Sequence, residues 1–388
     1  MSHPPGKPAM DLFIPRLAAF YVAHFIVAGI QMPFFPVWLD AHGLDARAIG
    51  VVLAAPMVVR IFAVPAATRL ADRFGVLRGA LITAAAAATA GYALVGMASG
   101  FVPILVAVTL ASVAYGPIFP LTDTYALRGL AERRRAYGPV RLWGSAAFMA
   151  ANISAGLVLG IIAPVNLIWL IVAALGFTMV AATGLAATSE HAPQTDAPAP
   201  HAPLWRMPVF VAALAAVSLI QASHALFYGF ATLDWTARDL DGPTIGVLWA
   251  LAVVAEIVLF AFSGRLPRWI GPVELMALGA CGAVIRWTAM VFEPPLAALP
   301  FLQCLHALSF GATHLGALQF IVRVAPARMA ATAQGDLSAA QSVVMFGVMS
   351  LSGVLYAAYG GHAYAVMAAV AAAGGLIVFG LLWQERHT

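Results

Sequence analysis

The sequence is poor in charged residues and in cysteine. Charged residues make up 9% of the 388 positions and hydrophobic residues make up 62%, whereas a soluble globular chain carries about 25% charged and about 45–50% apolar residues. A soluble fold of this size needs a wettable surface, and this composition does not supply one. The two cysteines, Cys281 and Cys304, lie inside apolar runs and give no disulfide framework. These deficits exclude a soluble enzyme, a disordered binding segment and a nucleic-acid reader, and they predict an integral membrane protein.

Apolar runs long enough to cross a bilayer recur along the chain. A membrane helix needs about 20 predominantly apolar residues. Twelve runs meet this length: 12–38, 48–70, 76–98, 101–127, 139–162, 165–187, 208–235, 244–264, 272–292, 296–322, 330–357 and 362–383. No alternating β-barrel pattern occurs. The predicted fold class is therefore an all-α membrane protein with twelve transmembrane helices, in which Pro33, Pro36, Pro117 and Pro120 favour kinks or local unwinding.

The basic residues are distributed unequally between the two sides of the membrane. If the N-terminus is cytoplasmic, sixteen of the twenty basic residues lie on the cytoplasmic side, and only Arg47 and Arg238 lie outside. Positively charged loops stay in the cytoplasm, so both termini are predicted to be cytoplasmic. The same sidedness accounts for the net charge of +4 without a nucleic-acid partner. The polar start of the chain leads directly into an apolar stretch longer than the core of a signal peptide, so we expect no cleaved leader.

An internal repeat divides the chain into two similar halves. Residues 44–54 read LDARAIGVVLA and residues 240–250 read LDGPTIGVLWA, with six identities at an offset of 196. The longest connection, 188–207, is rich in Pro, Ala and His and is typical of a linker. Parallel duplication of a six-helix unit is a transporter pattern with the substrate site between the halves. We therefore expect an N-terminal six-helix bundle at 1–187, a cytoplasmic linker at 188–207 and a C-terminal six-helix bundle at 208–388.

A short loop motif and several longer segments resemble a known family. The loop RLADRFGVLRG at 69–79 is similar to the cytoplasmic signature of the major facilitator superfamily, with Thr68 in place of its opening glycine. The segments PLTDTYA, YGPVRLWGSAAF, SHALFYGF, VVAEIVLFAFS, CGAVIRW and QCLHALSFGATHLGA together resemble the 3-phenylpropionate permease branch, which is related to lactose permease and nucleoside–proton symporters. The resemblance implies two pseudo-symmetric bundles, alternating access and import of an aromatic carboxylate with protons.

Four ionisable residues in the second half are candidates for proton coupling: Glu256, Arg286, His306 and His314. Such groups are expensive in a membrane and must face protein or water. A carboxyl that an arginine approaches and leaves can bind and release a proton, and histidine can relay one. The alternative is a fixed ion pair between Glu256 and Arg286 that holds helices together. In a regular helix His306 and His314 would lie about 80° apart, so both could not touch one carboxylate.

Nine further residues are predicted to contact the substrate: His24, Gln31, Arg60, Tyr115, Asn152, Gln221, His224, Tyr228 and Trp249. Arg60 lies at the depth of Glu256 by the repeat offset and suits a carboxylate ligand, although pairing with Glu256 is an equal alternative. Gln221, His224 and Tyr228 are spaced to share one helix face. A histidine at position 24 that bonds a nearby carbonyl is also an equal alternative to a ligand contact.

Four residues near the cytoplasmic ends of the predicted helices are candidates for gating: Asp72, Arg73, Asp123 and Arg141. The first two suit a latch that forms in one access state and breaks in the other, and the last two can pair with each other.

The sequence as a whole predicts a monomeric secondary transporter of a bacterial inner membrane. Its expected partners are a small organic solute, protons and the lipid bilayer, with no cofactor, no metal and no enzymatic activity. A drug–proton antiporter is the first alternative, although the glycine-rich element of such exporters is missing from residues 141–160, RLWGSAAFMAANISAGLVLG. Sugar, nucleoside and metal-ion import are further alternatives. No phosphate-binding loop is visible, so we do not expect ATP to supply the energy.

Overall fold

The computed structural model describes residues 12–74, 76–186, 204–267, 269–326 and 329–387. All regular elements in these residues are helical. The first half contains α1 (Phe13–Ala41), α2 (Ala46–Phe74), α3 (Leu77–Met97), α4 (Phe101–Tyr115), α5 (Ile118–Glu132), α6 (Tyr137–Leu159) and α7 (Leu167–Thr183). The second half contains α8 (Pro208–Ala222), α9 (Ala225–Ala237), α10 (Gly242–Phe262), α11 (Pro272–Val291), α12 (Leu299–Cys304), α13 (Thr313–Val324), α14 (Ala330–Tyr359) and α15 (Tyr364–His387).

The helices account for the predicted membrane crossings. Within the described ranges, eleven helical stretches are long and apolar enough to cross a bilayer. The last of them, Thr332–His387, has 56 residues, which at 1.5 Å per residue exceeds twice the hydrocarbon thickness of about 30 Å. A short turn at Gly360–Ala363 divides it into α14 and α15, one crossing each. The all-helical membrane fold is confirmed, and the twelve predicted runs match these stretches when the last is counted as two helices.

Three of the crossings are interrupted. α4 and α5 are separated at Gly116 and Pro117, where the sequence predicts unwinding, whereas α1 is helical through Pro33 and Pro36. α8 and α9 are separated at Ser223 and His224. Between α12 and α13 the chain forms a π-helix at Ala307–Ala312. Segments of π-helix are rare and are frequently found at functional sites.

The two halves of the chain meet at one end of the molecule. We call the end where α1 begins and α15 ends the terminal end, and the end where α1 ends and α2 begins the distal end. α2 packs against α14, and α6 packs against α10. A Cβ atom on Gly50 would lie 2.9 Å from the Cα atom of Gly353, and one on Gly156 would overlap the carbonyl oxygen of Gly242. Because glycine has no side chain, the backbones of the two halves touch directly at the distal end.

The terminal end is arranged differently. α5 and α13, which both end there, form no extensive contact in the described residues. Among the described residues, backbone contacts thus join the two halves at the distal end, whereas α5 and α13 form no such junction at the terminal end. Most of the expected linker at 188–207 lies outside the described residues, which resume at residue 204. The expected boundaries of the two bundles therefore remain a prediction.

Candidate functional site

A cavity of about 470 Å³ lies between the two halves. Ligand sites for small molecules usually occupy about 300–1,000 Å³. Most of the lining residues come from α1, α2, α4 and the starts of α5 and α6, while α9 and α14 contribute one side chain each. The cavity therefore belongs mainly to the first half and is completed by the second.

The lining of the cavity combines positive charge with aromatic rings. Two guanidinium groups face the cavity, those of Arg60 and Arg141, and no acidic residue of the described ranges lines it. The aromatic side chains are Phe25, Phe35, Tyr92, Tyr115, Phe119 and Tyr228. A small ligand here meets several aromatic rings and a positive charge that no lining carboxylate neutralises.

Arg60 lies halfway along α2 and presents an exposed side chain to the cavity. Its distance from either end of α2 is 14 residues, or about 21 Å. Among the described residues it makes no ion pair, either with Glu256 or with another acid. The alternative of an Arg60–Glu256 pair is therefore wrong for this conformation, and the guanidinium group remains available to a ligand.

Arg141 and Asp123 do not form the pair that the sequence allowed. Both Tyr21 and Tyr137 donate their hydroxyl hydrogens to Oδ1 of Asp123, each at 2.7 Å. The guanidinium carbon of Arg141 instead lies 4.1 Å from the ring centre of Phe25. The carboxylate of Asp123 thus accepts its hydrogen bonds from two tyrosines and not from Arg141. Arg141 contacts an aromatic ring and lines the cavity.

Besides Arg60, three predicted substrate residues of the first half line the cavity: His24, Gln31 and Tyr115. The ring centre of His24 lies 5.6 Å from that of Tyr115, and its Nδ1 atom is buried without a hydrogen-bond partner. The alternative in which a carbonyl satisfies this histidine is therefore wrong for Nδ1. Gln31 donates a hydrogen bond to the hydroxyl oxygen of Tyr92. Nδ1 of His24 is thus left without a partner among the described residues and is covered in this conformation.

A chain of polar contacts crosses the interior of the second half. Nε2 of His306 lies 3.5 Å from Oε2 of Glu256, and Nδ1 of His306 lies 3.2 Å from Nη1 of Arg286. Arg286 also donates from Nη2 to Oε1 of Gln303 at 2.7 Å. In this conformation the imidazole ring lies between Glu256 and Arg286, so the fixed ion pair given as the alternative is not formed here. The approach and departure of Arg286 during transport stays a prediction.

The contact with Arg286 fixes the tautomer of His306. A guanidinium group can only donate hydrogen bonds, so Nδ1 of His306 must accept and the ring proton resides on Nε2. That proton faces the carboxylate of Glu256. Arg286 is fully buried, and its guanidinium carbon lies 4.5 Å from the ring centre of Phe227 and 4.6 Å from that of Trp287. Cation–π contacts of this kind stabilise a desolvated arginine.

The π-helix changes the relation between the two histidines. The ring centre of Phe310 lies 5.1 Å from that of His306 and 5.9 Å from that of His314, and the three rings are stacked. A regular helix would have separated the histidines by about 80°. Each residue of a π-helix turns through a smaller angle, so the rings align. Of the two histidines, only His306 contacts Glu256 in the described residues.

Four of the predicted substrate residues do not line the cavity: Asn152, Gln221, His224 and Trp249. His224 and Tyr228 remain neighbours, with stacked rings 5.7 Å apart. Only Tyr228 reaches the cavity, while Gln221 and His224 contact the π-helix. Asn152 is buried between α6 and α10 without a hydrogen-bond partner. Trp249 donates from Nε1 to Oγ1 of Thr232. In this conformation these residues belong to the packed interior.

The remaining gating candidates lie at the terminal end. Arg73 is exposed in the last turn of α2. The side chain of Asp72 lies outside the described part of the chain, so the predicted latch between these residues stays a prediction.

Several residues that shape the site are not among those that the sequence predicts. Tyr92 and Phe119 line the cavity, Gln303 binds Arg286, and Tyr21 and Tyr137 bind Asp123. Gln303 precedes His306 by three residues, a spacing that places both on one helix face, so this partner was recoverable. The other four are aromatic residues among many in the apolar runs, and nothing in their spacing distinguishes them.

Comparison with known proteins identifies the family. The family model described as "MFS_1 like family" matches residues 14–372. The chain belongs to this major facilitator family. It is 31% identical over 374 residues to a probable 3-phenylpropionic acid transporter of Escherichia coli (strain K12), covering 92% of this chain and 94% of that protein. It is also 30% identical over 331 residues to a maltose permease of Geobacillus stearothermophilus, with 82% of each protein covered.

Solved structures agree with this assignment at the level of the fold. The crystal structure of the nucleoside transporter NupG superposes with a TM-score of 0.82 at 14% identity, covering 98% of this chain and 100% of that chain. Together with the family match and the Escherichia coli relative, the membrane-spanning helices make this major facilitator protein a multi-pass membrane transporter of a small molecule and not an enzyme.

Proposed function

We propose that the protein imports a small aromatic carboxylate, of the 3-phenylpropionate type, together with protons. The observation that carries this proposal is the cavity lining, in which Arg60 and Arg141 face several aromatic rings and no acid of the described residues. Guanidinium groups bind carboxylates well, and aromatic rings pack favourably at centroid separations of about 4.5–7 Å. The relative from Escherichia coli, whose name specifies 3-phenylpropionic acid, supports the same substrate class.

The proposed binding mode uses both halves of the molecule. Arg60, at mid-depth on α2, receives the carboxylate. The phenyl ring packs between Tyr115 and Phe119 of the first half and Tyr228 of the second. Closure of the terminal end brings the two halves together around the ligand. The remaining predicted contacts, His24 and Gln31, bond the polar end of the substrate.

The proposed proton site is Glu256. Tyr228 lines the cavity, and its ring centre lies 5.7 Å from that of His224. The ring of His224 lies 5.5 Å from that of His306, which contacts Glu256, so ring contacts connect the cavity with the proposed proton site. A bound carboxylate and an ionised Glu256 would place two negative charges in one interior of low dielectric. The energy of this repulsion is avoided when Glu256 takes up a proton as the substrate binds, so proton and anion move together.

The proposed cycle is alternating access in a bacterial inner membrane with both termini in the cytoplasm. Residues 1–187 and 208–388 move as two bodies joined by the linker at 188–207. In this orientation the conformation closed at the distal end is the state that releases substrate to the cytoplasm. Asp72, Arg73, Asp123 and Arg141 form their gating contacts when the terminal end closes.

Uptake into proteoliposomes tests the proposal. Purified protein is reconstituted, and accumulation of radiolabelled 3-phenylpropionate, maltose, uridine and copper is measured with and without an inward proton gradient. We expect accumulation of phenylpropionate alone, and only with the gradient. Gradient-independent uptake would exclude symport, and driven expulsion would favour antiport. Preferential accumulation of maltose or uridine would overturn the assignment of the substrate class.

A further inference from the structure

The interrupted crossings α8–α9 and α12–α13 contact each other at their interruptions. Nε2 of His224 lies 3.0 Å from Oγ of Ser309, which belongs to the π-helix. Nε2 of Gln221 donates to the carbonyl oxygen of Phe310 at 3.4 Å, also in the π-helix. Ser223 accepts a hydrogen bond from Nε1 of Trp287 at 2.9 Å. Irregular backbone at membrane depth requires such partners, because lipid offers none.

The direction of the His224–Ser309 bond follows from its other partners. Nδ1 of His224 lies 3.1 Å from the carbonyl oxygen of Gln221 and 3.2 Å from that of Ile220. Carbonyl oxygens only accept, so the ring proton resides on Nδ1, and Nε2 accepts the hydroxyl hydrogen of Ser309. Both His224 and Ser309 are fully buried. This neutral imidazole neither reaches the cavity nor touches Glu256.

The π-helix held by this bond determines where His306 and His314 lie. It begins directly after His306, and the stack of His306, Phe310 and His314 follows its course. The opposite side of the same segment faces Glu256, since a Cβ atom on Gly311 would lie 3.4 Å from Cγ of Glu256. Conversion of the π-helix to a regular helix would rotate the imidazole of His306 away from the carboxylate.

We propose that His224 and Ser309 are positioning residues for proton coupling. Their hydrogen bond keeps the π-helix in place, and the π-helix keeps His306 between Glu256 and Arg286. This inference rests on the proposed role of Glu256 as the proton site. Among the described residues, the titratable and charged groups that face this assembly are Glu256 of α10, Arg286 of α11, His306 and His314 beside the π-helix, Tyr228 of α9, Tyr364 of α15 and, across the interior, Arg141 of α6.

The test compares two serine-to-alanine variants. Ser309→Ala removes the hydroxyl that donates to His224, whereas Ser352→Ala removes an equally buried hydroxyl that bonds the carbonyl oxygen of Val348 in its own helix. In Ser309→Ala we expect counterflow exchange of substrate to be unchanged. The gradient-driven accumulation ratio should fall by about two- to tenfold, the size expected for loss of one buried hydrogen bond. Ser352→Ala should match the wild type in both measurements.

An infrared titration of the Glu256 carboxyl band, without substrate, provides the second measurement. The band is assigned by its absence in Glu256→Gln. We expect its midpoint to shift in Ser309→Ala and not in Ser352→Ala. Equal midpoints in both variants, or equal loss of driven accumulation in both, would overturn the positioning role. This titration needs no transported solute, so it remains decisive if the wild-type protein fails to carry aromatic carboxylates.

Discussion

Arg60 offers a direct test of anion recognition in the cavity. The substitution Arg60→Gln keeps a hydrogen-bonding side chain but removes the positive charge. Since Arg60 has no acidic partner among the described residues and faces the cavity, the substitution leaves no buried carboxylate unpaired. We therefore expect the fold to be retained and the affinity for a carboxylate ligand to fall.

The magnitude follows from the position of the side chain. Two unit charges 4 Å apart interact by about 1 kcal/mol in water and about 4 kcal/mol at an effective dielectric constant of 20. The side chain of Arg60 is exposed in the cavity, so a value of about 1.5–3 kcal/mol, typical of hydrogen bonds to charged groups, is appropriate. This corresponds to about a 12- to 150-fold increase in Kd. An uncharged ligand of the same shape should lose much less.

Equilibrium binding of 3-phenylpropionate and 3-phenylpropionamide to purified protein separates charge from shape. Wild type should prefer the acid, and Arg60→Gln should abolish most of that preference while retaining affinity for the amide. Arg47→Gln is the matched control, because Arg47 lies on the same helix near the distal end and does not line the cavity. If Arg60→Gln binds the acid as tightly as wild type, or loses acid and amide equally, Arg60 is not the carboxylate receptor.

Three further predictions address coupling, closure and stability. With a gradient of one pH unit, the wild type should accumulate substrate up to about tenfold per proton carried. Glu256→Gln should reach only equal substrate concentrations on the two sides of the membrane, yet retain counterflow. Gradient-driven accumulation in this variant would show that Glu256 is not the proton site. Gly156→Leu should hold the distal end open, because even a Cβ atom overlaps the facing backbone. A cysteine placed at Met32 should then react faster with a thiol reagent added from the distal side. Hydrogen bonds from Thr244 lower the pKa of Asp241 at the start of α10 below its ordinary value of 3.8. Asp241→Ala should therefore lower Tm by a constant amount above pH 3.8, and the difference in Tm should shrink as the pH falls further. A difference that grows in acid would contradict the capping role.

The membrane crossings were predictable because the signal is long and local. Apolar runs of about 20 residues leave few alternatives in a bilayer, and each of the twelve predicted runs begins within two residues of the start of a helix or helical turn. The family resemblance was equally accessible, since its motifs contain charged residues within apolar runs. Arg60 and Glu256 were recognisable for the same reason.

The individual contacts were less accessible because they depend on helix irregularities. No proline in the sequence indicates the π-helix at Ala307–Ala312 or the break at Ser223 and His224. Spacing rules for a regular helix therefore placed His224 in the cavity and His314 away from His306. Asp123 was assigned to Arg141 because opposite charges were the only partners that the pattern suggested, whereas the structure uses two phenol hydroxyls.

The direct backbone contact at Gly50 with Gly353, and at Gly156 with Gly242, has a consequence for how the protein can diversify. None of these four glycines lines the cavity. The glycines that join the two halves are thus separate from the residues proposed to bind the substrate. Substitutions that reshape the pocket for a different ring or acid should therefore leave this junction intact, which makes the cavity lining a suitable target for engineered specificity.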